Sequence, residues 1–158
     1  MTVKIENRLS KKVPLFNIER RIKDLIKVVP QGHLIGLRKI IIVDTLLDKQ
    51  AKNALAIYRK KNNNDLASIE ISFNSLFQGM PKVLFWVPFV AKFTLAAALY
   101  HEIGHHYHYS FKHGINKKKK ENFADNYEKE MLKKAFWLWR VLLFPIAPIV
   151  KYLSKKIA

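Results

Sequence analysis

His101-Glu102-Ile103-Gly104-His105 is an HExxH pattern, and its spacing specifies a chemistry. Two histidines four residues apart on an α-helix share a face and can offer two imidazole nitrogens to one metal ion. The glutamate beside the first of them reaches a water held at the ion's open position. Imidazole and carboxylate ligands on helices favour zinc. The expected reaction is peptide-bond hydrolysis through a metal-activated water, with Glu102 as general base taking the proton and later delivering it to the leaving amine.

A second pair of chemically able residues follows. Glu121-Asn122-Phe123-Ala124-Asp125 sets two acids four apart, on one face of a helix expected from about Asn116 onward. One acid can ligate the metal. The other can orient a histidine, because a metal-bound imidazole needs a carboxylate or carbonyl to accept its remaining N–H, and Asp125 is the candidate. The zinc ion would then be held by His101, His105, Glu121 and water. A donor for the developing oxyanion is also expected. His106, His108, Tyr109, His113 and Tyr127 are the candidates, while His33 is far along the chain and is given no part in the site. The alternative is a catalytically inactive zinc-binding module associating with anionic membrane or nucleic acid, which would close its tetrahedron with a fourth protein ligand such as His113.

HExxH followed by ExxAD on the next helix resembles the gluzincin metallopeptidases, and the ExxAD form is most similar to the HtpX-like and CAAX-prenyl endopeptidase group. In that group the motif glutamate is the third zinc ligand and the aspartate stands behind the ligands, which the resemblance carries onto Glu121 and Asp125. It covers roughly residues 37 to 132 and implies a zinc peptidase acting on a peptide or protein substrate. The 158 residues do not hold the multi-span membrane body of those enzymes, so the substrate is left open. A more distant likeness is to the small ImmA/IrrE-type gluzincins, where the ligand glutamate directly precedes the alanine, a place that Phe123 takes here.

Such a site must be positioned by a scaffold. Phe93 to Tyr100 is rich in Ala and Leu, which predicts that the motif rides on a buried helix. Residues 16–29 place Ile18, Ile22, Leu25, Ile26 and Val29 at helical spacing before Pro30, an amphipathic helix expected to cover the back of a sheet. Three strands are expected: Lys39–Val43, Ala54–Lys60, and 69–74, where Ile69, Ile71 and Phe73 alternate with polar residues. A turn is expected at Asn62–Asp65. The fold class is α+β, a minimal zincin-like domain with a small three-stranded sheet, the HExxH helix and a second helix carrying the glutamate ligand. In that arrangement the sheet edge nearest the metal takes extended substrate as an added strand. Residues 69–74, with Ile71, Ser72 and Asn74 as substrate contacts, are the candidate.

Composition narrows the function further. The chain has no cysteine, which excludes disulfides, thiolate metal sites and the zinc ribbon that accompanies SprT-like proteases. Its 29 basic residues against 12 acidic ones give a net charge of +17, an attraction to anionic partners. The densest run, Lys117-Lys118-Lys119-Lys120, is expected in the loop between the two metal-binding helices, close enough to the cleft to favour acidic substrates. Residues 1–132 are expected to form the metallopeptidase domain and 133–158 an apolar, aromatic tail. Within it, Ala135–Val150 is 16 residues with Arg140 as the one charge and two prolines, too short for the roughly 20 apolar residues of a membrane span. Trp137 and Trp139 beside Lys and Arg suit interfacial anchoring on an anionic membrane surface. Val83–Ala91 raises the same reading. The tail argues for lipid over nucleic acid, since no nucleic-acid reading element is present. Met1 to Arg8 has no apolar core of a secretory signal, so the expected location is cytoplasmic, peripheral on the inner face of the membrane where the tail anchors.

Overall fold

The sheet is built on one β-branched run with a strand recruited to either side. In chain order the elements are β1 (Lys4–Asn7), α1 (Ile18–Ile26), a 3-10 helix (Gln31–Leu34), β2 (Leu37–Val43), β3 (Ala56–Arg59), β4 (Ala67–Ser72), α2 (Phe73–Phe77), α3 (Pro88–Phe111) and α4 (Lys117–Ala135). The structure is a computed structural model and describes residues 3–11, 17–48, 54–60, 66–77, 88–111 and 116–137. The fold is α+β.

The sheet is mixed and four-stranded, in the order β1-β2-β4-β3. Strand β2 runs parallel to both β1 and β4, and β3 closes one edge antiparallel to β4. One strand more is present than the sequence suggested. Strand β1 has a single large apolar residue, Ile5, at the position paired with Ile40, so its signal lies in the neighbour it pairs with. The expected edge strand is also corrected. Strand β4 is paired on both sides, and β3 is the edge.

Ile40 and Ile42 of β2 pair with Ile69 and Ile71 of β4. All four are fully buried in one apolar core with Ile22 and Leu25 of α1 and with Leu95, Leu99 and Ile103 of α3. Helices α1 and α3 therefore share one face of the sheet, and the hydroxyl of Tyr100 donates to the Leu25 carbonyl at 3.1 Å. The other face carries residues such as Lys39, Glu70 and Arg59, with Arg59 Nε 2.8 Å from Glu70 Oε1. Helix α1 thus packs beside α3, on the same face of the sheet.

Local signals account for the helix ends. Asn17 caps α1 by accepting from the Arg20 N–H at 2.9 Å, and α3 begins at Pro88, where a missing N–H costs no helical bond. The strand expected over 69–74 stops at Ser72, whose hydroxyl accepts from the Ser75 N–H at 3.2 Å and starts α2. Lys117–Lys120 forms the first turn of α4, capped by Asn116, whose side chain accepts from the Lys118 N–H. The helix expected from about Asn116 therefore begins there, and the lysine run expected in the preceding loop is its first turn.

The expected domain break after residue 132 falls inside α4, and Phe136 beyond it is buried in the core against Phe89 and Phe93. Among the described residues, no helix is long and apolar enough to cross a membrane. The expected turn at 62–65, His113, most of the 83–91 segment and the tail from 138 onward lie outside the described residues.

Candidate metal centre

Two small residues, one in each motif, let the helices that carry the ligands come together. A Cβ on Gly104 would stand 2.9 Å from Ala124 Cα and 3.2 Å from Tyr127 Cβ, and Ala124 is fully buried. Helices α3 and α4 lie antiparallel across this contact, so Glu121 meets His105 while Asp125 and Glu128 meet His101.

His101 Nε2 and His105 Nε2 are 3.1 Å apart. Glu121 Oε2 lies 3.6 Å from the first and 3.5 Å from the second. A tetrahedral ion with bonds of about 2.0–2.1 Å spaces its ligands about 3.3 Å apart. The centre of a triangle with the observed sides is about 2.0 Å from each corner, the length of a Zn–N or Zn–O bond. The three residues thus fit a single metal ion. The other ring nitrogen, His101 Nδ1, is 3.2 Å from Asp125 Oδ1, which turns the imidazole so that Nε2 faces the ligand cluster.

The sequence reading missed a second carboxylate at this nitrogen, Glu128, with Oε2 3.6 Å from His101 Nδ1. Its signal was present: Glu121, Asp125 and Glu128 stand at i, i+4 and i+7 and share a helix face. Burial raises the pKa of Glu128 above the usual carboxylate range, with the nearby His101 opposing.

The histidines and Glu102 line a cleft of about 360 Å³ together with Ala56, Ile57, Tyr58 and Lys60 of the edge strand side, His108, Tyr109, Lys120 and Glu121. Burial pushes the Glu102 carboxyl up to about 7, against the pull of His101 and of a hydrogen bond donated by the Tyr58 N–H, with Glu121 adding to the rise. Burial, and then His101, lowers the pKa of His105, favouring the neutral imidazole that a metal requires.

Among the described residues, no strand pairs with the outer edge of β3, which borders this cleft. The Leu55 carbonyl accepts from the Ser72 N–H at 2.9 Å, so strand alternation turns the backbone groups of Ala56 and Tyr58 away from β4. Tyr58 also ties the edge to α3 through its hydroxyl, 3.3 Å from His106 Nδ1, and burial raises that hydroxyl's pKa to about 12.

The expected substrate contacts on β4 are not in the cleft. Ile71 and Ser72 are fully buried in an interior strand, and Asn74 sits on α2 with its N–H bonded to the Asp44 carbonyl. Of the oxyanion candidates, His108 and Tyr109 line the cleft. His106 is turned away, with Nε2 3.1 Å from the Ile35 carbonyl, and the Tyr127 hydroxyl is 2.9 Å from His33 Nδ1. His33, stacked on Tyr107 at 4.0 Å, supports the helix pair from outside the cleft.

Against known proteins, no family model matches this chain, and no curated protein or solved structure does.

Proposed function

We propose that this chain is a zinc-dependent peptidase of gluzincin type, with His101, His105 and Glu121 as ligands and Glu102 as general base. The observation that carries the reading is the ligand triangle, sized for one ion and lying in the same cleft as the partly buried Glu102. A bound zinc ion would supply Lewis-acid polarisation of the scissile carbonyl and ease loss of a proton from water.

The chain's own groups do the rest. Glu102 accepts the proton of the attacking water as its oxygen bonds to the carbonyl carbon, then returns that proton to the leaving nitrogen as the C–N bond breaks. Asp125 holds His101 in one tautomer through Nδ1. His108 and Tyr109, which line the cleft, are the candidates to stabilise charge on the carbonyl oxygen.

Extended substrate adds along the open edge of β3, not β4. The outward N–H and C=O of Ala56 and the C=O of Tyr58 would supply sequence-independent hydrogen bonds, while the Tyr58 N–H is held by Glu102. Zinc-loaded protein should cleave members of a mixed peptide library, lose activity to a chelator, and regain it with added zinc. The Glu102→Gln variant should retain zinc and cleave nothing. Cleavage that persists in metal-loaded Glu102→Gln would exclude this mechanism.

A further inference from the structure

We infer that the cleft selects peptides with an acidic side chain beside the scissile bond, and that Lys60 and Lys120 make the selection. This rests on reading the cleft as a peptidase site.

The two lysines enter the cleft from different elements. Lys60 follows the last residue of β3, and Lys120 lies in the first turn of α4, next to Glu121. Lys60 is not free to wander: its Nζ stands 4.5 Å over the Tyr109 ring, itself part of the cleft lining. A cation held on an aromatic face keeps its charge at a fixed place. The acids among the cleft residues are Glu102 and Glu121, one assigned to proton transfer and the other to the metal. Among the described residues neither Lys60 nor Lys120 takes part in an ion pair. Among the described residues, their charge therefore stays open to something that enters the cleft.

Helix stability does not account for Lys120. The amino end of a helix carries positive partial charge and favours acids, yet α4 opens with four lysines and has no acid in its first turn. The run opposes the helix that carries it, and Lys120 is the member that reaches the cleft wall. A substrate carboxylate seated between the two ammonium groups would complement both, while a basic side chain would meet repulsion there.

The test uses the full zinc-loaded chain and a mixed peptide library, with cut sites read by mass spectrometry. Asp or Glu should be enriched at one fixed position close to the cut. For such a peptide, the ratio of its kcat/KM to that of its Asn or Gln analogue should fall about five- to tenfold in Lys60→Gln and again in Lys120→Gln. In the double reversal Lys60→Glu, Lys120→Glu the preference should invert towards a Lys analogue.

Cleavage with no acidic position, or an acidic preference untouched by these substitutions, overturns the inference and leaves the peptidase reading standing. If no library member is cut, the peptidase reading fails separately, and binding then decides the inference. Fluorescence anisotropy would compare a short labelled glutamate peptide with its glutamine counterpart on the zinc-loaded protein. Tighter binding of the glutamate peptide, lost when both lysines become Gln, supports selection; equal binding overturns it.

Discussion

Glu102 is an ionisable group held partly buried in the cleft wall, which works against the fold. Its carboxyl has a pKa of about 4.5 when unfolded and about 7 in the metal-free folded chain, chiefly through burial. Between those values the unfolded chain ionises first, so the folded state loses stability as pH rises through the window, and the deficit is complete above about 7. Metal-free wild type should therefore lose roughly 2–3 kcal/mol relative to Glu102→Gln between about pH 4.5 and pH 8. Urea melts of both proteins at the two pH values measure this, and a pH-independent difference would contradict it. Behind the ligands, Asp125→Asn should weaken zinc binding about 10- to 100-fold by removing the carboxylate at His101 Nδ1. Glu128→Gln should weaken it less, since Glu128 is the more distant partner at 3.6 Å. Competition with a chelating dye would rank the two, and the reverse order would show that Glu128 does the orienting. That His101 and His105, and likewise Glu121 and Asp125, share a helix face was legible because a period of four on a helix is a local rule. Ile71, Ser72 and Asn74 were misplaced because strand alternation tells which face a residue takes, not which strands flank it.

At the scale of elements, the site depends on how closely α3 and α4 approach. Alanine in a helix is intrinsically better than glycine by about 1 kcal/mol. At Gly104, however, the added methyl would meet the Ala124 backbone at 2.9 Å, and backbone cannot swing aside as a long side chain can. Gly104→Ala is expected to destabilise the protein by about 1–3 kcal/mol and to lower zinc affinity, because parting the helices draws Glu121 from the histidines. Thermal melts and a zinc titration check both effects; a more stable variant with unchanged affinity would contradict them. The helices were readable from their caps and apolar spacing, as at Asn17 and at Ile18, Ile22 and Leu25. The helix start near Asn116 was legible, and the helix takes in Lys117–Lys120, expected in the loop before it; the cap at Asn116 fixes the boundary. Strand β1 was missed, and β4 was taken for an edge, because both depend on partners distant in sequence: Ile5 on Ile40, and Ile71 on Ala56 and Ile42.

For the whole molecule, a metal at this site would join two helices that otherwise meet through packing at Gly104 and Ala124 and through the carboxylates facing His101. Anything that binds the folded state and not the unfolded one stabilises it by mass action, about 4 kcal/mol at a thousand times Kd. Zinc should therefore raise the melting temperature by several degrees, a gain lost in His101→Ala. The α+β class was legible because helical and alternating periods separate along the chain, whereas the sheet order came from tertiary pairing. The net charge of +17 acquires a local meaning where Lys60 and Lys120 border the cleft. The most direct test of the central claim is the metal content of the purified protein by mass spectrometry, comparing wild type with Glu121→Ala and Glu102→Gln. The account predicts about one zinc per chain in wild type and in Glu102→Gln, and weakened retention in Glu121→Ala. A folded wild type with no tightly bound metal, or zinc retained equally in Glu121→Ala, would contradict it.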